Sequence, residues 1–176
     1  MNQKQTIGEI RIYMACLAAY NNGYLHGRWI DATIGEDAIW TEIKEMLAAS
    51  PIEDAEEHAL HDYEGFEGLR LSEYEGVSEI VEKAEFIEEH GKLGALVAEH
   101  FGGSVEEAKD ALDDAYAGPY NSLADFAEEM TEQSGAEIPE SLRHYIDYEA
   151  MGRDMGVNDV FTIEAAFDEV HIFWHR

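Results

Sequence analysis

From Glu36 to Glu137 the chain carries 29 acidic side chains and only five basic ones, Lys44, Arg70, Lys83, Lys92 and Lys109. Whatever this stretch folds into must keep nearly all of those carboxylates in water, because an unpaired charge buried in an apolar interior costs more than a domain can spare. Its elements must therefore be surface elements, each with one apolar side. The acids are interleaved with Leu, Ile, Val, Ala and Phe at helical spacing, so they decorate structure and do not form a low-complexity tail. Ordinary solvated helices place Lys or Arg three or four residues from Glu, which adds a few tenths of a kcal/mol per pair. Here like charges stand side by side instead, in Glu56-Glu57, Glu88-Glu89, Glu106-Glu107, Asp113-Asp114 and Glu128-Glu129.

Strong acidity is also a mark of disorder, but only where apolar side chains are too few to build a core. This chain of 176 residues is 45% hydrophobic and 11% aromatic, and it reads as folded despite a formal net charge of -28. Such a charge repels nucleic acid and anionic membranes and attracts basic surfaces. The length suggests one domain or a few small ones. No apolar run approaches the roughly 20 residues of a membrane span. The opening MNQKQTIGEIRIY has no secretory pattern, which points to the cytoplasm. The single cysteine, Cys16, lies in an apolar run and is expected to be a small core residue.

Alternation in IRIYMACLAAY predicts a strand over Ile10 to Tyr20, a turn at Asn21-Asn22-Gly23 and a hairpin partner over Tyr24 to Ala32. A helix is expected from Glu36 to Ala48, ended by Ser50-Pro51, then a short strand over His58 to Tyr63. Ser72 to Glu75 and Ser104 to Glu107 match the capping box that opens helices. Helices are predicted over Ser78 to His90, with Gly91 closing the first, then Lys92 to Phe101 and Ser104 to Tyr116. Gly118-Pro119 reads as a break, followed by a helix from Ser122 to about Gly135 and another from Pro139 to about Met151. Val160 to Ile163 and Val170 to Trp174 read as strands. The expected fold class is α+β, elongated, with three small modules in a row. They are a small β-sheet plus helix over 1–66, a central acidic helical bundle over 67–116, and helices plus a small β-sheet over 117–176.

Signals of catalysis are sparse. There is no P-loop, G-x-S-x-G, H-E-x-x-H or EF-hand loop. Close carboxylate pairs arise by chance in so acidic a chain, so none is nominated for acid/base work. His58 and His61 would share a face only on a helix, and they and His171 and His175 are read as packing or surface residues. No enzymatic activity, cofactor or metal is expected. Ile172, Phe173 and Trp174 form a consecutive apolar set that suggests either a buried strand or a self-association surface.

Three segments carry a resemblance: RIYMACLAAYNNGYLHGRWID from Arg11 to Asp31, HDYEGF from His61 to Phe66, and YNSLADFAEE from Tyr120 to Glu129. In this order, and in a strongly acidic chain, the sequence resembles the ArdA antirestriction proteins along essentially its whole length. The resemblance implies a DNA mimic that occupies the DNA-binding groove of type I restriction-modification enzymes, shielding incoming plasmid or transposon DNA. It also implies an elongated three-module protein and a homodimer through the C-terminal module, here Ile172, Phe173 and Trp174. The family's antirestriction motif falls within Tyr120 to Gln133.

B-DNA carries about one negative charge per 1.7 Å of axis, so a net -28 corresponds to roughly 48 Å, or about 14 base pairs. Fixed carboxylates are accepted by Lys and Arg much as phosphates are. The candidate phosphate-mimicking residues are Glu79, Glu82, Glu85, Glu88, Glu89, Glu106, Asp110, Asp113, Asp114, Glu128 and Glu129, with no single one dominant. A solvated halophilic surface fits less well, because the acids are 27 Glu and 12 Asp and such surfaces lean towards Asp. An acidic chaperone, or an inhibitor of another basic DNA-binding protein, is the alternative.

Overall fold

A computed structural model describes residues 8–176; the opening residues read above for a secretory pattern lie mostly outside them. Contacts divide the chain into two compact units, one ending at Val105 and the other running from Glu106 to Arg176. Both combine helices with a small antiparallel sheet, giving the α+β class. Among the described residues no helix is long and apolar enough to cross a membrane.

The first unit is built on a sheet of order β2-β1-β3, comprising β1 (Arg11–Cys16), β2 (Gly27–Asp31) and β3 (His58–Glu64). The strand expected to reach Tyr20 stops at Cys16, where a short helix, α1 (Leu17–Asn21), begins. The Cys16 side chain explains the switch, because its Sγ accepts the Ala19 N-H and so caps a turn of good helix formers. Cys16 is itself fully buried, 3.4 Å from Ser50 Oγ. Helix α2 (Glu36–Ala48) has the predicted bounds and sinks Ile39, Ile43 and Met46 into the core with Ile12, Met14 and Ile30.

Helix α3 (Val77–His100) is two helices that meet at Gly91, whose φ of 66° and ψ of -154° are not helical. The sequence placed the division there, because glycine reaches positive φ without a Cβ clash. The Ser72 box opens no helix. Glu75 does accept the Ser72 N-H at 2.7 Å, but this only closes a turn, and the helix starts after Gly76, whose N-H donates to Glu79. The other carboxylate oxygen of Glu75 is drawn to Lys83.

The second unit opens with α4 (Val105–Asp114), which begins just before the unit boundary, and has a sheet of order β4-β6-β5. Its strands are β4 (Tyr116–Tyr120), β5 (Val160–Ala166) and β6 (Glu169–Trp174). β4 corrects the reading of Gly118-Pro119 as a break. The strand lies at the sheet edge, where proline is tolerated, and the register shifts between Tyr116 and Gly118. Helix α5 (Leu123–Gln133) is capped by Ser122, whose hydroxyl accepts the Asp125 N-H. The helix expected from Pro139 is instead a 3-10 turn over Glu140–Tyr145, an extended Ile146, and then α6 (Tyr148–Asn158). Asp147 is the reason: its carboxylate accepts the Ala150 N-H at 2.9 Å and starts the helix late.

Phe126, Val160 and Ile172 form a core cluster of this unit. Helices α5 and α6 approach closely at Gly152, where an added Cβ would lie 2.7 Å from the Leu123 carbonyl carbon and 2.8 Å from its oxygen. Both neighbours are backbone atoms and cannot swing aside. Gly152→Ala is therefore expected to destabilise by about 1–3 kcal/mol through overpacking, although alanine alone would favour the helix. The urea midpoint checks this, and a midpoint equal to or above wild type contradicts the packing argument.

Candidate functional site

The few basic side chains of the first unit are largely held by its own acids. Arg11 pairs with its cross-strand neighbour Glu64 at 2.7 Å and lies over the Trp29 ring at 4.5 Å. Arg28 bridges Glu42 and Glu45, and these two carboxylates raise its pKa. Arg70 meets Glu99 at 3.0 Å, and Lys83 meets Glu75. What remains is a large set of exposed carboxylates; Glu75, whose side chain is 9% exposed beside Lys83, is an exception.

On α3, Glu79, Glu82, Glu85, Glu88 and Glu89 are all exposed. Each step of three residues turns back by about 60°, so the row winds round roughly half of the helix over about 15 Å. Glu79 is engaged at the helix start by the Gly76 N-H, and Glu89 lies 3.7 Å from the His90 ring. Glu82, Glu85 and Glu88 make no ion pair among the described residues.

Helix α4 is more sharply two-sided. At 100° per residue, Glu106, Glu107, Asp110, Asp113 and Asp114 fall within an arc of about 120°. Val105, Ala108, Ala111 and Ala115 fall opposite and are buried. Asp114 differs from its neighbours, because Arg176 pairs with it at 2.5 Å and also donates to the Asp110 carbonyl. Helix α5 repeats the pattern with Asp125, Glu128, Glu129 and Glu132 at i, i+3, i+4 and i+7, within about 100°, and it has no basic residue. Phe126 and Ala127 on its other side are buried. Glu129 is half-buried and accepts from Gln133 at 2.8 Å. Burial, followed by a hydrogen bond to Glu129, raises the Tyr120 pKa.

The charge density on these faces is high. The α4 row places five acids in about 12 Å and the α5 row four in about 10 Å, one charge per roughly 2.5 Å. B-DNA carries one per about 3.4 Å on a single strand and one per about 1.7 Å on the duplex. Glu107, Asp125 and Glu132 share these faces but are not among the candidates read from the sequence, although Glu107 belongs to the adjacent pair Glu106-Glu107. The i, i+3, i+4, i+7 spacing is the signal that reveals Asp125 and Glu132.

The family model for the antirestriction protein ArdA matches residues 12–169. The chain belongs to the ArdA antirestriction family. No curated protein matches it. Membership implies an antirestriction function, and ArdA proteins are inhibitors rather than enzymes. The match runs through β1 to the β5–β6 turn, and so covers all three acidic faces.

The remaining sequence candidates in this ArdA chain have structural places. Ile172 and Phe173 are fully buried within the chain: Ile172 joins the Phe126 cluster, and Phe173 stacks on Phe161 at 5.0 Å. Of that apolar set only Trp174 reaches the surface, at 40% exposure. His58 lies edge-on to Trp40, where burial lowers its pKa, and His61 lies edge-on to Tyr20. His171 is buried between the Tyr116 hydroxyl at 2.6 Å and Glu169 at 3.0 Å. A carboxylate only accepts, so Nε2 is the donor to Glu169. Burial first, and the Glu169 charge second, raise the pKa of that tyrosine. His175 packs against Phe161 at 5.8 Å.

Proposed function

We propose that this ArdA protein inhibits type I restriction-modification enzymes by presenting its acidic helix faces to the groove that grips DNA. The observation that carries this reading is the pair of one-sided acid rows on α4 and α5, with charge spacing between that of one DNA strand and that of the duplex. A surface selected only for solubility has no need to crowd like charges on one side of a helix, where they repel one another. The mimicking set comprises Glu79, Glu82, Glu85, Glu88, Glu89, Glu106, Asp110, Asp113, Asp114, Glu128 and Glu129, extended by Glu107, Asp125 and Glu132. Asp114 contributes least, because Arg176 offsets it. Within the division into 1–66, 67–116 and 117–176, the central part and the start of the last carry this surface.

A second copy is proposed to associate through the C-terminal part, with Trp174 as the member of the Ile172, Phe173 and Trp174 set that is open to contact. Backbone-like charge carries no base sequence, so inhibition is expected to be indifferent to the recognition site of the enzyme.

A displacement titration tests the reading. The enzyme is held on a labelled duplex, the protein is added, and the series is repeated from 50 to about 200 mM salt. Competitive release that weakens steeply as salt rises is the expected result. No release at low salt contradicts mimicry, and equal binding to unrelated cationic proteins favours the acidic chaperone instead.

A further inference from the structure

The two arms of α3 on either side of Gly91 carry different loads. Residues 77–90 present the exposed acids Glu79, Glu82, Glu85, Glu88 and Glu89, whereas residues 92–100 hold only Glu99, which Arg70 takes up at 3.0 Å. The second arm is an anchor, with Gly94, Ala95, Val97 and Ala98 buried. Free charge therefore ends where the backbone turns. The arms close on one another at this corner, because a Cβ added at Gly94 would lie 2.5 Å from the His90 Cβ and 3.2 Å from the Phe86 ring. The His90 and Phe86 rings are themselves in contact at 4.6 Å, and Phe86 is buried. Each arm also has its own tie to the loop before the helix, Lys83 to Glu75 in the first and Glu99 to Arg70 in the second. A Cβ at Gly91 would meet nothing within 4 Å, so glycine is needed there for its φ of 66° and not for space.

Resting on the reading that the acid rows face a DNA-gripping groove, we propose that Gly91 is the positioning residue of the α3 row, holding Glu82, Glu85 and Glu88 at a fixed angle to the anchor arm. Any L-residue is strained at this φ, whatever space surrounds it. Alanine is also the better helix former, so it favours running 77–100 as one continuous helix of about 36 Å. In that helix the row and its anchor cannot both keep their places. The row is then misdirected although no charge has changed.

The test compares full-length variants by displacement of a type I enzyme from a labelled duplex and by urea midpoint. Gly91→Ala is expected to weaken displacement roughly tenfold, the share of three exposed charges at about a twofold to threefold each. Gly102→Ala is the control: its φ is also 66° and its Cβ also meets nothing within 4 Å, but it lies beyond the helix. It brings left-handed strain without touching the corner, and a loss of less than about twofold is expected. In a Glu82→Gln/Glu85→Gln/Glu88→Gln background, Gly91→Ala is expected to add no further loss, because the charges it misdirects are gone. Equal losses from the two glycine variants, or the same loss with and without the three charges, assign the effect to stability and overturn the proposal, as does no loss at all. Should Gly91→Ala show no cooperative unfolding, Gly91→Asn, which tolerates positive φ better, is read in its place against the same outcomes. A triple amide as potent as wild type also overturns the role of the corner, while the α4 and α5 rows still carry the mimicry reading. A wild-type protein that displaces nothing ends that reading and this proposal together.

Discussion

Converting Glu106, Asp110, Asp113, Glu128 and Glu132 together to their amides is expected to raise the protein concentration needed to displace a type I enzyme from DNA by roughly 70-fold. The figure follows from about a twofold to threefold contribution per exposed charge, compounded over five. Any one of the five changes alone is expected to cost only that small factor. All five side chains are exposed, and none makes an ion pair among the described residues, so the replacements remove charge without removing a structural contact. The matched control neutralises Glu53, Glu56, Glu57, Glu137 and Glu149, which are also exposed and lie outside the three faces. Both variants lose five charges, so a potency governed by net charge alone falls equally in both. A clearly larger loss in the α4 and α5 variant is what the arrangement demands, and equal losses would falsify the role of the faces. Folding should not confound the comparison, because removing crowded like charges relieves repulsion.

How much of this was legible in the sequence depends on how local each cause is. Helix α2 and the division of α3 at Gly91 follow from apolar spacing and one glycine, and the structure places both as predicted. Helix α6 was misplaced because Pro139 was a stronger visible start signal than Asp147, yet the Asp147 carboxylate is what caps the helix. Strand β4 was missed because its cause lies far along the chain: Tyr116 and Gly118 pair with Phe173 and Ile172, and only that partner turns a Gly-Pro segment into an edge strand. The acidic surface shows the same split. Adjacent acids are conspicuous in the text of the chain, but a helix face is read at every third and fourth residue, so Asp125 and Glu132 matter to the α5 row as much as Glu128 does. No local pattern reveals that the last residue, Arg176, takes up Asp114.

The largest effect on stability is expected at Lys83, whose side chain is 11% exposed and whose partner Glu75 is 9% exposed. Lysine is rarely buried unless paired, and this pair fastens the loop before α3 to the helix that carries the Glu79 to Glu89 row. Lys83→Met keeps most of the volume but leaves the Glu75 carboxylate without its cation, at an expected cost of about 3–5 kcal/mol. That is a large share of the 5–15 kcal/mol typical of a whole domain. Replacing both partners, as Lys83→Met/Glu75→Leu, removes the stranded charge and is expected to recover most of the loss, because a buried pair is often no better than its apolar replacement. Urea midpoints of the wild type, the single variant and the double variant measure this directly. Inhibition adds an independent readout, because Lys83→Met makes the protein one unit more negative. A potency that tracked charge alone would rise in the single variant and return in the double. The expected order is the reverse near the melting temperature, with the single variant weakest and the double close to wild type, because carboxylates imitate phosphates only while the helix beneath them stays folded.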